Sequence, residues 1–182
     1  MVEKLEAFDK MLQTSYNFLL VLSPLCSDIL TSIFRLGGGD AWEFEIRPCS
    51  ERLFTDLVKN FKTLLVGPLL SLFQSAASGD QSVVVKDSVY AAMGLSADVV
   101  FQSFDFDAFL TSTLVNDVQR TGPGFKVLRR RIAILIGQWV TIKISQANRP
   151  LVYQIFQHLL KSEDETNDHV VRVSTHFRKS AM

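Results

Sequence analysis

An all-α solenoid of stacked helical hairpins is the fold class that this sequence predicts, and three observations support it. Lys86, Arg129 and Arg172 stand 43 residues apart, each directly after a branched apolar residue. The segments VVVKDSVYAAMGL and FKVLRRRIAILIGQ align at the same period, so that Gly94 corresponds to Gly137. No segment shows the alternating pattern of a β-strand. Periods of about 40–47 residues with two helices per unit are typical of HEAT and armadillo repeats, so we expect about three HEAT repeats after two or three leading helices.

Two of the leading helices precede a clear break in the chain. Apolar residues recur every three or four positions from Leu5 to Leu22, which places them on one stripe of a helix, and a second helix is predicted over residues 25–36. Glycines 37–39 then break the pattern, because residues without side chains lose the most backbone entropy on folding. We therefore expect a leading helical hairpin over residues 1–36, a glycine-rich and extended linker over 37–48, and HEAT repeats over 49–182, the last of them incomplete.

Caps and turn residues divide the rest of the chain into helices. Ser50, Asp105 and Asn148 suit N-caps, because short side chains with an oxygen accept hydrogen bonds from the N–H groups of a first turn. Gly67-Pro68 is expected to bend or end the first of these helices, and the acidic stretch 162–168 is expected to form a solvated turn. The predicted helices lie near residues 50–66, 67–77, 82–102, 106–119, 125–144, 149–161 and 169–182, with further turns at 78–80 and 121–124.

Composition and charge argue against several classes of function. Apolar residues make up 47% of the chain, and 19 basic residues balance 19 acidic ones, which argues against a nucleic-acid partner because phosphate binding depends on many Lys and Arg contacts. Cys26 and Cys49 have no second Cys or His at metal-ligand spacing and are expected to be reduced thiols. No secretory signal is visible, and the most apolar run, 132–140, is too short to cross a bilayer. We expect a cytoplasmic or nuclear protein without membrane insertion.

The conspicuous positive charges have two competing interpretations. Arg129, Arg130 and Arg131 fan across about 200° of a helix, so they cannot all face one ligand. The ladder of Lys86, Arg129 and Arg172 favours bonds to neighbouring turns that tie the repeats together. Alternatively, Lys86, Arg130, Arg131 and Arg172 are polar contacts for a protein partner.

Other patterns predict no catalytic, metal or cofactor site. Asp105 and Asp107 stand where a helix begins and suit capping better than acid–base chemistry. The acidic turn lacks the central glycine and the terminal glutamate of a calcium loop. His158, His169 and His176 have no serine or cysteine in a nucleophile motif. We therefore do not expect an enzyme.

Six segments resemble, in order and spacing, the importin-11-type nuclear transport receptors, whose fungal counterpart is karyopherin 120. They are RPCSERLFTDL (47–57), KDSVYAAMGL (86–95), DFDAFLTSTL (105–114), LRRRIAILIGQWV (128–140), RPLVYQ (149–154) and VVRV (170–173). These receptors belong to the importin-beta superfamily, long HEAT solenoids that carry cargo through nuclear pores under the control of the GTPase Ran. The resemblance covers an internal stretch of such a receptor, and the amino-terminal repeats that usually bind Ran have no counterpart here.

The resemblance implies that this chain is a segment of a nuclear import receptor that shuttles between cytoplasm and nucleus. The second helices of the repeats, at 82–102, 126–144 and 169–181, would then contribute a concave surface to protein cargo and to Ran. Nucleoporins would contact the full-length receptor. The alternative is a purely structural HEAT scaffold with no binding activity of its own.

Overall fold

The structure is a computed structural model that describes residues 46–78, 81–122 and 124–180. The predicted leading hairpin, 1–36, and residues 37–45 of the predicted linker lie outside the described residues. The chain divides into two compact units, Met1–Phe61 and Lys62–Met182.

Every regular element in the described residues is a helix, which confirms the predicted all-α class. The elements are α1 (Ile46–Asn60), α2 (Lys62–Ser78), α3 (Val83–Leu95), α4 (Ala97–Val100), α5 (Phe106–Phe109), a π-helical segment (Leu110–Leu114), α6 (Val115–Gln119), α7 (Phe125–Val140), a 3₁₀ turn (Gln146–Asn148), α8 (Arg149–Leu160) and α9 (His169–Ser180). None of the described helices is long and apolar enough to cross a membrane.

In the first unit, α1 begins earlier than predicted. It starts at Ile46, so the end of the predicted extended linker is helical and Ser50 lies inside the helix instead of capping it. Pro48 is tolerated there because the N–H groups of a first helical turn have no intrahelical acceptor to lose. Phe54 and Val58, four residues apart, are the buried side chains among residues 48–60 of this helix.

In the second unit, no helix ends at Gly67-Pro68, so that part of the prediction is wrong. Helix α2 runs from Lys62 through Pro68 without interruption. Proline has no N–H to donate to the carbonyl four residues earlier, which belongs to Leu64. Leu64 is 53% exposed, so water can bond to the carbonyl that Pro68 leaves without a donor. The helix therefore continues through this turn.

The helices of the second unit form two layers. The first layer contains α2, α5–α6 and α8, and the second contains α3, α7 and α9, with α3 packed beside α7 and α7 beside α9. Helices α3 and α7 are parallel, because Arg131 bonds to Asp87 near their beginnings and Trp139 bonds to Met93 near their ends. We call α3, α7 and α9 the second-helix layer. The pairing of first with second helices matches the predicted HEAT hairpins.

Two glycines make the turn before α7. Gly122 has φ of 119° and Gly124 has φ of 85°, a region that side chains with a Cβ disfavour. The predicted turn at 121–124 is therefore present.

Helix α3 is shorter than predicted because of Ser96. The Ser96 hydroxyl and its backbone N–H both donate to the carbonyl of Ala92, at 2.7 and 3.0 Å. A serine that bonds back to the preceding turn competes with the regular helical ladder. The chain continues as the separate short helix α4.

Trp139 is the centre of the aromatic core. It is fully buried, its ring stacks on Phe106 with centroids 4.5 Å apart, and Phe104 lies at 5.9 Å. Its indole Nε1–H donates to the carbonyl of Met93 at 3.3 Å, so its polar atom is also satisfied. Phe104 in turn contacts Phe73 of α2, at 5.5 Å. The cluster therefore joins the first and second hairpins.

Candidate protein-interaction surface and its ion pairs

Lys86 of α3 is bonded inside the protein to Asp117 of α6. Its Nζ lies 2.7 and 2.8 Å from the two carboxylate oxygens, and the Tyr90 hydroxyl donates to the same carboxylate at 2.5 Å. Lys86 is 5% exposed and Asp117 is 3% exposed. Burial raises the pKa of Tyr90 above its ordinary value, and the charge of Asp117 adds to the effect, so this hydroxyl remains a donor. A buried charge needs such complete bonding to be tolerated.

Arg129 of α7 makes the equivalent connection one repeat later. Its Nη1 donates to Asp164 at 2.6 Å and to Asn167 at 2.7 Å, and its Nη2 donates to the carbonyl of Arg120 at 3.3 Å. The Arg129 side chain is 0% exposed. Asp164 and Asn167 both lie in the turn between α8 and α9, so Arg129 ties the second hairpin to the third.

Arg130 and Arg131 point to different neighbours. Arg130 forms an ion pair with Asp168, just before α9, while the Nε of Arg131 donates to Asp87 of α3 at 2.8 Å. Asp168 also accepts a hydrogen bond from the backbone N–H of Val171 at 2.9 Å and thereby caps α9. The two arginines therefore connect α7 to the helices on its two sides, as the predicted fan of side chains requires.

The acidic turn 162–168 is anchored, so the prediction of a solvated turn holds only for some of its residues. Glu163 and Glu165 are exposed, but Asp164 and Asp168 are paired with arginines. Asn167 is buried, and its side-chain amide donates to the carbonyls of His158 and Lys161 at 2.7 and 3.2 Å. The turn is held because its polar atoms close the end of α8 and meet the guanidinium groups of α7.

Arg129 and Arg130 stabilise the ionised forms of their carboxylate partners. Burial by itself raises the pKa of Asp164, but hydrogen bonds from Arg129 and from the backbone of Thr166 outweigh it, and the pKa of Asp164 is lowered. At Asp168 burial also raises the pKa, but the hydrogen bonds from Arg130 and from the backbone N–H of Val171 outweigh it, and the pKa of Asp168 is lowered.

Acidification is expected to destabilise the protein partly through Asp168. The pKa of Asp168 in the folded state lies below that of an unfolded aspartate, about 3.9. Asp168 therefore contributes its full stabilisation above about pH 3.9, and this stabilisation is lost as the pH falls through the folded-state pKa. The melting temperature should therefore fall more steeply between about pH 5 and pH 3 in the parent protein than in Asp168→Asn, which keeps a capping side chain. Glu163→Gln, at an exposed carboxylate, is the matched control and should keep the parent slope. Equal slopes in all three proteins would contradict the assignment.

His158 also lies at this turn. Its Nε2 is 3.9 Å from Asp164 and has no hydrogen-bond partner in the described part of the chain. Burial, followed by the charge of Arg129, lowers the pKa of His158, which favours the neutral ring. In the described ranges no three His, Cys, Asp or Glu side chains form a group that could hold a metal ion.

The predicted partner-contact residues are buried or half-buried in the structure. Lys86 and Arg130 are buried, at 5% and 7% exposure, Arg131 is half-buried against Asp87, and Arg172 is half-buried in α9. A partner contact through Lys86 or Arg130 requires an internal ion pair to open. The partner role of these four residues stays a prediction.

Sequence reasoning missed two groups of residues. The acceptors Asp87, Asp117, Asp164 and Asp168 were not recognised, because they lie 31 to 44 positions from their cations along the chain. The second group is a row of accessible side chains on the second-helix layer. Val84, Val127 and Val170 occupy one register at the 43-residue period, and Lys126 and His169 share the neighbouring register. The repeat alignment was a signal that could have found this row.

The row is accessible on all three second helices. Val84 is 39% exposed, Lys126 and His169 are exposed, and Val127 and Val170 are half-buried. We call these five residues the valine–lysine row. It contrasts with the buried and paired cations Lys86, Arg129 and Arg130, which lie two to four positions further along α3 and α7.

The stacked hairpins and the ion pairs between successive repeats define the class of protein, a HEAT-repeat α-solenoid. No protein-family model matches the chain. Importin-11 of Mus musculus is 36% identical over 143 residues, which are 76% of this chain and 14% of the relative. The importin beta-like protein KAP120 of Saccharomyces cerevisiae is 35% identical over 142 residues, 74% of this chain and 14% of the relative.

A solved structure gives the same relationship. The chain superposes on Lph2, described as a novel bidirectional nuclear transport receptor in S. cerevisiae, with a TM-score of 0.66 and 29% sequence identity, over 92% of this chain and 16% of Lph2. The chain belongs to the importin-beta superfamily of nuclear transport receptors, and it is similar to those of the importin-11 type. It spans 14% of the length of the curated relatives it matches.

Proposed function

We propose that the second-helix layer of this chain forms part of the protein-binding surface of a nuclear import receptor. The relatives are named as importins and as a transport receptor, which supports a non-catalytic role in transport between cytoplasm and nucleus. The protein bound is cargo, and Ran and nucleoporins act on the complete receptor.

The valine–lysine row is the observation that carries this proposal. Three neighbouring helices present apolar side chains at one register, with a lysine and a histidine beside them. Adjacent packed helices lie about 8–10 Å apart, so the row extends across roughly 20 Å and contacts a partner at several points. Apolar anchors with a charged border are the usual composition of a protein interface.

Introducing two glutamates into the row is expected to weaken cargo binding by at least about tenfold, the equivalent of about 1.4 kcal/mol. The test variant is Val84→Glu with Lys126→Glu in a full-length importin-11-type receptor that carries this segment. Both positions are exposed, so the fold should tolerate the change. Lys143→Glu, an exposed lysine beyond the end of α7, is the matched control.

The measurement is the quantity of each protein that co-purifies with the receptor, with and without Ran-GTP. Proteins whose binding responds to Ran-GTP count as cargo. Equal recovery of such proteins by the test variant, the control and the parent receptor would refute a cargo role for the row.

The ion pairs favour a second candidate function, that of a purely structural scaffold. Lys86, Arg129 and Arg130 are all buried and bonded to neighbouring repeats. In that case neutralising Arg129 should lower the melting temperature of the receptor and leave every interaction of the folded protein unchanged. The two glutamates in the valine–lysine row should then leave cargo binding unchanged.

A further inference from the structure

Ser162 lies at the exposed start of the turn between α8 and α9. Helix α8 ends at Leu160, and the backbone N–H of Lys161 bonds to the carbonyl of His158, so Ser162 is the second residue after the helix. Its side chain is exposed, and within the described ranges its hydroxyl has no hydrogen-bond partner. The hydroxyl is therefore accessible to a modifying enzyme, on a segment whose backbone is not part of a helix.

Three acidic residues follow Ser162 directly, Glu163, Asp164 and Glu165. Across the 182 residues no other serine or threonine has an acidic residue three positions after it. The structure uses the three carboxylates differently. Glu163 and Glu165 are exposed, whereas Asp164 is half-buried and accepts a hydrogen bond from Arg129 at 2.6 Å. The carboxylates one and three positions after the serine are thus accessible, and the one between them is engaged inside the protein.

This pattern fits the way in which a kinase recognises an acidic substrate. Kinases select substrates partly by the pattern of charges around the acceptor, and Lys and Arg side chains form charge-assisted hydrogen bonds with carboxylates. In an extended substrate segment successive side chains point to opposite sides, so the first and third residues after the acceptor share one side. Glu163 and Glu165 occupy those two positions, and Asp164 occupies the other side.

We propose that Ser162 is a phosphorylation site for an acid-directed serine/threonine kinase that uses ATP. The bond between the Ser162 Oγ and the γ-phosphorus forms while the bond from that phosphorus to the β–γ bridging oxygen breaks. ADP leaves, and the hydroxyl proton passes to the carboxylate base of the kinase. The product carries about −1.5 to −2 charges at pH 7. Because Asp164 can stay bonded to Arg129 throughout, the modification does not require the buried pair to open.

The test is incubation of the folded chain with casein kinase II and Mg²⁺-ATP, with mass spectrometry of the peptide that contains Ser162. The parent chain should acquire one phosphoryl group on this peptide, at Ser162, and Ser162→Ala should acquire none. Thr166→Ala is the matched control, since it removes a half-buried hydroxyl from the same turn. It should keep the rate of the parent chain.

Variants of the acidic residues test how the turn is recognised. Combining Glu163→Gln with Glu165→Gln should lower the initial rate at Ser162 by at least about tenfold, because two charge-assisted contacts are lost. Asp164→Asn should lower it by less than about threefold, since the asparagine oxygen still accepts from Arg129 and the kinase does not read this position. Circular dichroism checks that each variant is folded.

The proposal is overturned if Ser162 is not modified in the parent chain, or if Asp164→Asn slows the reaction as much as the two glutamine substitutions together. The second result would show that the turn must open before the kinase can act. Neither measurement involves cargo, so a negative result would leave the proposed function standing.

Discussion

Replacing Arg129 with alanine is expected to lower the melting temperature of this protein by roughly 6–12 °C. The guanidinium group is inaccessible to water and donates to Asp164, Asn167 and the carbonyl of Arg120. Its removal leaves the buried amide oxygen of Asn167 without this donor and opens a cavity beneath the turn 162–168. Breaking a buried pair costs about 3–5 kcal/mol. We use the lower value, because Asp164 is partly exposed and water can solvate its charge. At about 2–4 °C per kcal/mol for a chain of this size, the stated range follows.

Two further variants separate the pairing of Arg129 from its charge and its volume. Arg129→Lys keeps the charge but loses the planar fork that reaches two acceptors, so it should recover only part of the stability. Arg149→Ala removes the same charge from an exposed position and should shift the melting temperature by no more than about 2 °C. Thermal denaturation followed by circular dichroism gives all three values. If Arg129→Ala were as mild as Arg149→Ala, the bond between the second and third hairpins would not contribute to stability.

The repeat period predicted the fold because the two helices of each repeat pack in the same way. Apolar residues and cations at the 43-residue period mark the second helices, and the glycines at 122 and 124 mark a turn that requires positive φ. Helix boundaries were harder to predict. Pro68 does not end α2, where the surface is open to water, and Ser96 ends α3 by bonding back to Ala92. Both outcomes depend on local solvation and side-chain bonding that a residue pattern does not specify.

The charged residues were visible in the sequence, but their partners were not. The sequence does not distinguish Lys86 and Arg130 from exposed contact residues. Only the stacking of repeats shows that Asp117 and Asp168 pair with them inside the protein. Such pairs depend on contacts between residues that are distant in sequence. In a repeat protein, an acceptor found for the cation of one repeat predicts the position of the corresponding acceptor in the next repeat.

The buried ion pairs and the valine–lysine row therefore occupy different positions on the second-helix layer. Lys86, Arg129 and Arg130 fix the spacing of the hairpins, while Val84 and Lys126 remain accessible. A rigid spacing holds the accessible side chains at fixed intervals, which lowers the entropy lost when a partner is bound. Under the proposed function, stability and binding are separable by mutation, because they are assigned to different side chains.

The largest single effect is expected at Asp117. Asp117→Asn removes the charge that balances Lys86 and leaves an ammonium group, 5% exposed, without a counter-ion. Removing one partner of a buried pair costs about 3–5 kcal/mol, which corresponds to a fall in melting temperature of roughly 6–20 °C. The amide oxygen of the new asparagine can still accept the hydrogen bond of Tyr90, so the loss isolates the uncompensated charge.

Combining Asp117→Asn with Lys86→Met should restore most of this stability. The double variant contains no buried charge at the site, keeps an acceptor for Tyr90 and fills the space of the lysine stem with an apolar chain of similar length. Lys86→Met alone should be milder than Asp117→Asn, since Asp117 retains the Tyr90 hydroxyl and has Arg120 at 3.9 Å. Urea denaturation of the four proteins gives the coupling energy between the two positions. A double variant no more stable than Asp117→Asn would show that the damage comes from lost packing and not from an unpaired charge.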